Sequence, residues 1–373
     1  MYKNSMQNPM KIALVHDYLT QRGGAERVFE LLCKHFPDAD IYTSVYDHRN
    51  TINLGDRKVH TTFLQKIPAS RKFFRLFAPF YYSAFRYLDL KKYDLILSST
   101  SSFAKGVQKR PDAIHICFCH NITRFLWDTN TYLREYGAYG FLKPLIEMVF
   151  SAMRRQDIAY AQSPDYYIAN SSTVAKRIQD IYQKEAVTIN YPIDERRFIF
   201  SDQKDDYYLV LSRHLSYKRL DIIVEAFNEL GLPLIITGDG PETKKLQSQA
   251  FKNIKFLGHV SDLERCKLMT KAKFVVVAAL EDYGLVPIEA NASGTPVIAY
   301  GDGGVMDTQI LGVTGILFNQ QTTESLKSAI IDAQEMHWDY GKIRDHAINN
   351  FSETIFFQKV DLMLAEIISA KEQ

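Results

Sequence analysis

Short apolar runs alternate with helix-length stretches along both halves of this chain, and that alternation limits the fold more than any other feature. Residues 11–16 (KIALVH) have the length and apolarity of a buried strand. Two glycines follow at a turn, Gly23 and Gly24, and residues 25–36 then carry helical spacing. Further strands are expected at 94–98, 114–119 and 166–169, with 187–189 as another candidate. Asn170 or Ser171 is placed to cap a helix over 174–182. Residues 191–206 are irregular and charged, with Pro192 near the start. A second series then opens at 208–212, with strands at 234–237, 254–257, 274–278 and 297–299. Helices are expected between them at 220–230, 242–250, 262–272 and 286–292. Alternation of this kind predicts two parallel-sheet α/β domains of Rossmann-like type. Their expected bounds are 1–190 and 191–350, followed by an amphipathic helix within 351–373.

Composition excludes several classes. The chain has 373 residues, 46% hydrophobic and 24% charged, which is globular rather than disordered, collagen-like or disulfide-built. No apolar run approaches the roughly 20 residues that cross a bilayer. The start, MYKNSMQNPMK, lacks the apolar core of an export signal, so the four cysteines are expected as thiols in a reducing cytosol. Its first nine residues read as a lead-in to the fold. Cys117 and Cys119 alternate within one apolar strand and point to a shared core face, not to a metal.

The near-neutral total, +2, hides an asymmetry: residues 1–192 carry 26 Lys/Arg against 17 Asp/Glu, and residues 193–373 carry 19 against 26. One half is therefore suited to an anionic surface or ligand. Basic charge concentrates in 64–93, with seven Lys/Arg, one Asp and nine aromatics. Phe74, Phe77, Tyr81, Phe85 and Leu88 keep a helical period, Arg71, Arg75 and Arg86 lie off that stripe, and Pro79 should kink or split the helix. Such a segment reads either as a core-facing helix with a solvated basic face or as a surface for anionic lipid headgroups. No nucleic-acid-binding motif accompanies it.

Ligands of open parallel sheets bind beyond the C-terminal strand ends. There the second half offers Arg213 and Lys218, a cation pair suited to a diphosphate. Glu281-Asp282-Tyr283-Gly284 follows a strand and opens a helix whose first amides suit phosphate. Glu289, eight residues after Glu281, would accept ribose hydroxyls. Gly301-Asp302-Gly303-Gly304 reads as another flexible strand-end turn. In the first half, Gly23-Gly24 lacks the G-x-G-x-x-G of dinucleotide oxidoreductases, and His16-Asp17 reads equally as a substrate contact or a loop cap. Asp38-Ala39-Asp40 matches the D-x-D pattern of metal-dependent sugar transferases, but follows a helix far from these segments and reads as a chance match.

The ordered set SRHLSYKRLDIIVEAF, GDGPE, EDYGLVPIEANASGTPVIA and GGVMDTQILGVTGILF resembles the retaining glycosyltransferases of family 4. KIALVHDYLTQRGGAERV and CFCHNITRFLWD extend the resemblance over about residues 11–318. It implies a B-type fold, two Rossmann-like domains facing a cleft, with a final helix crossing back to the first. It also implies roles. Arg213 and Lys218 would neutralise the diphosphate, and Glu289 would hold the ribose. Glu281, with Asp282 and the amides around Tyr283, Gly284, Leu285 and Val286, would hold the sugar and its phosphate. His259 and Val260 would meet the base through backbone atoms, Gly23 and Gly24 would let a loop approach the diphosphate, and His120 would contact the sugar. Asp307 stands where many relatives have Glu.

The resulting expectation is a metal-independent hexosyltransferase needing no cofactor. It would move mannose from GDP-mannose to a lipid-linked saccharide during O-antigen or other surface polysaccharide synthesis. It would work in the cytoplasm, peripheral on the inner face of the membrane through residues 64–93. A UDP-sugar donor is the main alternative. An epimerase, a phosphorylase and a non-catalytic assembly partner are the rivals. No motif for a phosphorylase's cofactor lysine is present, and the full charged set argues against the non-catalytic partner.

Overall fold

The computed structural model describes residues 10–129 and 143–372. The reading of the first nine residues lies outside them. The chain divides into two compact units, Met1–Ile189 with Lys359–Gln373, and Asn190–Gln358. Each is built on a parallel sheet, as expected of strands whose connections are long enough to hold a helix.

In the first unit the strands are β1 (Ile12–His16), β2 (Asp40–Thr43), β3 (Val59–Thr61), β4 (Leu95–Thr100), β5 (Ile114–Cys119), β6 (Tyr166–Ala169) and β7 (Ala186–Thr188). Their order is β3-β2-β1-β4-β5-β6-β7. In the second they are β8 (Tyr208–Leu211), β9 (Leu234–Thr237), β10 (Ile254–Gly258), β11 (Phe274–Val277), β12 (Val297–Tyr300) and β13 (Gly315–Phe318), in the order β10-β9-β8-β11-β12-β13. Each sheet reverses its winding beside its first strand, between β1 and β4 and between β8 and β11. Those reversals are the places where open α/β sheets leave a crevice at the strand ends.

Helices form where the apolar spacing and caps agree. Gly24–His35 buries Val28, Phe29, Leu32 and Cys33, with Glu26 in its first turn and Lys34 and His35 in its last, matching the helix dipole. Ser172–Tyr182 starts at Ser171, whose hydroxyl accepts from the Val174 N–H. Leu220–Leu230 stops at Gly231, in the left-handed region. Behind the second sheet lies a core of Tyr208, Val210, Phe227, Phe274, Ile330 and Trp338. Cys117 and Cys119 are fully buried together against Tyr167, Val174 and Ile178, as their alternation predicts.

The aromatic segment is split as Pro79 requires. Ser70–Phe73 is one helical turn, Phe74–Phe77 a 3-10 turn, and Ala78–Arg86 a helix with Pro79 in its first turn, where a missing N–H costs nothing. Tyr81 and Phe85 are buried, and Phe77 and Leu88 rest against the core. A second apolar set, Phe73, Leu76 and Phe80, faces solvent beside exposed Arg71, Lys72 and Arg75. Among the described residues no helix is long and apolar enough to cross a membrane. Asp40 opens β2, at the N-terminal edge of its sheet, and accepts from Lys92 at 3.1 Å and from the Tyr93 hydroxyl. The D-x-D match thus lies on the edge opposite the strand ends that bind ligands.

Candidate active site

In the first unit the reversal point gathers His16 at the end of β1, Ser99 near the end of β4 and His120 just past β5. His16 and Ser99 are register partners across β1 and β4, and Ser99 pairs with Phe118 across β4 and β5. Side chains alternate between faces, so His16, Ser99 and His120 share one face. Ser99 Oγ lies 3.0 Å from His16 Nδ1 and 2.7 Å from His120 Nε2. On the far side of His16, Phe29 stacks at 4.7 Å and Glu26 Oε1 lies 3.9 Å from Nε2. All four polar residues are buried. Burial pushes the His120 imidazole down to about 3, helped by the charge of His16. For Glu26 burial acts upward, but the hydrogen bond and charge of His16 and the Gln21 amide outweigh it and lower the carboxyl.

The opposite face resolves the ambiguity at Asp17. Its Oδ1 accepts from Thr100 Oγ1 at 2.7 Å and from the N–H groups of Phe103 and Ala104 at 2.8 and 2.7 Å. Its Oδ2 accepts from the N–H groups of Ser101 and Ser102 at 2.7 and 3.0 Å. Asp17 is a loop cap. Behind it, Asp157 forms a 2.7 Å ion pair with Lys105 and accepts from Thr123, Tyr82, Trp127 and Tyr182 at 2.7–2.8 Å. Both charges are buried, so the pair is tolerable only because every Asp157 oxygen is supplied with donors. Thr123 and Trp127, which follow His120 in the chain, are thereby tied to the helix Lys143–Tyr160 that carries Asp157. Gly23 is the N-cap of Gly24–His35 in extended backbone open to any residue, and a Cβ there would meet only the Glu26 carboxyl group, Oε2 at 2.7 Å and Cδ at 3.8 Å.

In the second unit the reversal point joins the loop after β8 to the loop after β11. Lys218 Nζ and Glu281 Oε1 meet at 2.5 Å. Arg213, on the same loop as Lys218, is exposed, with Tyr217 OH 3.4 Å away. Gly284, at φ +86°, is the N-cap of Leu285–Ala292. The N–H groups of Leu285 and Val286 lie in that first turn and have no partner within the helix, and Pro287 has no N–H to satisfy. Glu289, one turn on, is 1% exposed and ion-paired with Arg265 from the helix Asp262–Lys271. Tyr283 differs from its neighbours: its hydroxyl donates to the Tyr191 carbonyl at 2.6 Å, so only its backbone is placed to meet a ligand. Asp282 and Asp307 are half-buried, Asp307 closing the 3-10 turn Gly304–Asp307. His259, exposed, and Val260, half-buried, follow the end of β10.

The glycine turns here are tightly packed rather than loose. A Cβ on Gly304 would come within 2.4 Å of Asp282 O and Tyr283 Cα, and one on Gly303 within 2.3 Å of Glu281 O. Gly303 also sits at φ +77°. The turn is glycine because it presses backbone to backbone against the Glu281 loop, fixing where Glu281 stands. Gly238 and Gly240 do the same against Ser212 and His214, 1.9 and 2.4 Å from a hypothetical Cβ.

Two family models cover successive parts of the chain. Residues 22–197 match the model described as Glycosyltransferase Family 4, and residues 193–352 match Glycosyl transferases group 1. The chain belongs to the group 1/family 4 glycosyltransferases. An uncharacterized glycosyltransferase of Methanocaldococcus jannaschii is 26% identical over 173 residues, 45% of this chain and 49% of that protein. The O-antigen chain mannosyltransferase C of Escherichia coli is 25% identical over 173 residues, 42% of this chain and 44% of that protein. The match therefore spans about half the length of these curated relatives. Among solved structures, Anabaena HepE in complex with UDP aligns with TM-score 0.68 and 19% identity over 96% of this chain and 100% of that one. The likeness establishes the fold expected from the sequence, the B-type fold of glycosyltransferases with two Rossmann-like parallel sheets.

Within this chain the structure brings together Lys218 and Glu281, and places Glu289 and the amides of 284–286 on one short helix. Arg265 was not anticipated. It sits among other charged residues in DLERCK, and nothing in its spacing singles it out before the helix is docked. Ser99 was missed for a similar reason, since a serine near a strand end acquires meaning only once the adjacent strands supply two histidines. Among the described residues no cluster of three or more His, Cys, Asp or Glu is arranged to hold a metal ion.

Proposed function

We propose that this glycosyltransferase moves a hexose, mannose from GDP-mannose, to a lipid-linked saccharide acceptor in bacterial surface polysaccharide synthesis, with retention at the anomeric carbon and without a metal. The observation that carries the reading is the charged set at the second unit's reversal point. Lys218 and Arg213 would neutralise the two to three charges of the departing diphosphate, the step where preorganised cations act most strongly. Lys218 is held by Glu281, so a diphosphate would meet a cation already oriented. Glu289, fixed by Arg265, would accept the two ribose hydroxyls. Glu281 and the first-turn amides would hold the sugar and its phosphate, His259 and Val260 the base, and His120 the sugar. Gly23 and Gly24 would flank the donor in the first unit. Similarity to the E. coli O-antigen mannosyltransferase supports mannose and a surface polysaccharide.

A second donor reading rests on the HepE structure, which holds UDP. For the acceptor, exposed Phe73, Leu76 and Phe80 beside Arg71, Lys72 and Arg75 support attachment to anionic lipid on the cytoplasmic face of the membrane. Incubation with GDP-mannose or UDP-hexoses, a bacterial lipid extract and EDTA tests the reaction. Transfer of mannose as an α-linked product is expected. Transfer from UDP-hexose alone would replace mannose, and an inverted product or strict metal dependence would overturn the mechanism. Charge reversal at Arg71, Lys72 and Arg75 is expected to release the protein from anionic vesicles. Unchanged binding would remove the membrane from the account.

A further inference from the structure

The buried row Glu26–His16–Ser99–His120 joins a carboxylate to the histidine assigned above to the donor sugar, and the bonds within it are mutually dependent. Ser99 has one hydroxyl hydrogen and faces a ring nitrogen on each side, His16 Nδ1 at 3.0 Å and His120 Nε2 at 2.7 Å. It can donate to only one of them, so the other must donate to it. When His16 is neutral with its hydrogen on Nε2, towards Glu26, Ser99 donates to His16 Nδ1 and His120 donates through Nε2–H. When His16 is protonated, its Nδ1–H donates to Ser99, Ser99 donates to His120 Nε2, and the His120 hydrogen is on Nδ1.

We propose that this row is a proton wire, in which Ser99, His16 and Glu26 are positioning residues that set the ring tautomer of His120. The step balances. A proton arriving at His120 Nδ1 releases the Nε2 proton to Ser99 Oγ, and Ser99 passes its own proton to His16 Nδ1. His120 ends neutral with its hydrogen on Nδ1, and the positive charge rests on His16 opposite Glu26. Burial opposes charge on His120 itself, whereas His16 has the Glu26 carboxylate 3.9 Å away to balance it. Other groups around His16 do not compete for the role. Phe29 is apolar, Gln21 donates to Glu26 at 3.0 Å, and Arg75 reaches no further than Gln21 Oε1, at 3.4 Å. Asp17 is committed to the 100–104 loop on the other face.

The proposal rests on the reading of His120 as a sugar contact, but its test separates the two. Two-bond ¹H–¹⁵N spectra of histidine-labelled protein distinguish Nδ1–H, Nε2–H and doubly protonated rings across pH. The wild type is expected to convert His120 from Nε2–H at high pH to Nδ1–H at low pH, with the midpoint of His16 protonation. Ser99→Thr keeps the hydroxyl and should keep this coupling, whereas Ser99→Ala should abolish it, leaving one His120 tautomer throughout. A His120 tautomer that ignores the His16 titration in the wild type or in Ser99→Thr overturns the wire, whether or not Ser99→Ala folds. Addition of GDP-mannose or UDP-glucose reports separately. If His120 signals track His16 but neither donor shifts them, the wire stands and the sugar contact fails.

Discussion

Asp17→Asn is the sharpest test of how the first unit holds its reversal point. The carboxylate accepts five hydrogen bonds, three at Oδ1 and two at Oδ2. Asparagine is isosteric but has one acceptor oxygen. In the better of its two orientations the oxygen keeps the Thr100, Phe103 and Ala104 donors, and the NH₂ group faces the N–H groups of Ser101 and Ser102. Two buried bonds to a charged acceptor are lost, at about 1.5–3 kcal/mol each, for a total of about 3–6 kcal/mol. For a unit of this size, roughly 2–4 °C of melting temperature goes with each kcal/mol. The transition of the first unit should therefore fall by about 6–24 °C in calorimetry, while the second unit's transition stays in place. If Asp17 were instead a substrate contact, the variant would melt with the wild type and lose only activity. A wild-type melting curve would refute the capping argument.

Three further outcomes follow from other contacts. Lys105→Met leaves Asp157 buried without its cation and should cost about 3–5 kcal/mol in urea unfolding. Burial raises the Asp157 carboxyl, but the charge and hydrogen bond of Lys105, with the Trp127 and Tyr82 donors, outweigh it and hold the group low. The stability this contributes is complete above the ordinary carboxyl range and is lost as pH falls through the lowered native value. Acid melts below about pH 4 should therefore destabilise the wild type through this group and the Lys105→Met variant much less. Gly304→Ala drives a Cβ into Asp282 O and Tyr283 Cα and should cost about 1–3 kcal/mol, with weakened donor binding by calorimetry; equal donor affinity would mean that the turn does not set the Glu281 loop. Glu289→Gln should weaken nucleoside diphosphate binding by about 1.5–3 kcal/mol while leaving pyrophosphate binding unchanged; equal losses on both ligands would remove Glu289 from the ribose.

The alternation of apolar runs and helical spacing carried the architecture because buried parallel strands must be apolar on both faces and their crossovers must be amphipathic. Residues 114–119, 166–169, 220–230 and 234–237 form the elements their spacing predicts. β2 and β3 were illegible because DIYT and VHT are short and each is half or more polar. β13 is a four-residue strand, GILF, inside a stretch dominated by turn residues. At the candidate site, local signals pointed to Lys218 and Glu281 in strand-end loops and to Glu289 on the helix that follows, whereas His120 was singled out by the family resemblance. What they could not supply is pairing. Arg265 with Glu289, Lys218 with Glu281, and Ser99 with two histidines are each separated by at least 21 residues in sequence. Only the docked helices and the strand order bring them together. The glycines misled in one respect, since a Gly-Gly turn suggests freedom and at Gly303-Gly304 reports a backbone-to-backbone contact instead.

The central claim is that the second unit's charged set binds a nucleoside diphosphate sugar without a metal. A thermal-shift panel of GDP, UDP, ADP and their sugar conjugates in EDTA tests it directly, with Lys218→Met alongside. A ligand at 100 times its dissociation constant should add about 2.7 kcal/mol of stability. The account predicts stabilisation by GDP and GDP-mannose that Lys218→Met abolishes; a response to UDP compounds alone would keep the site and change the donor. No response to any member of the panel by folded protein, or a response that survives loss of Lys218, would contradict it.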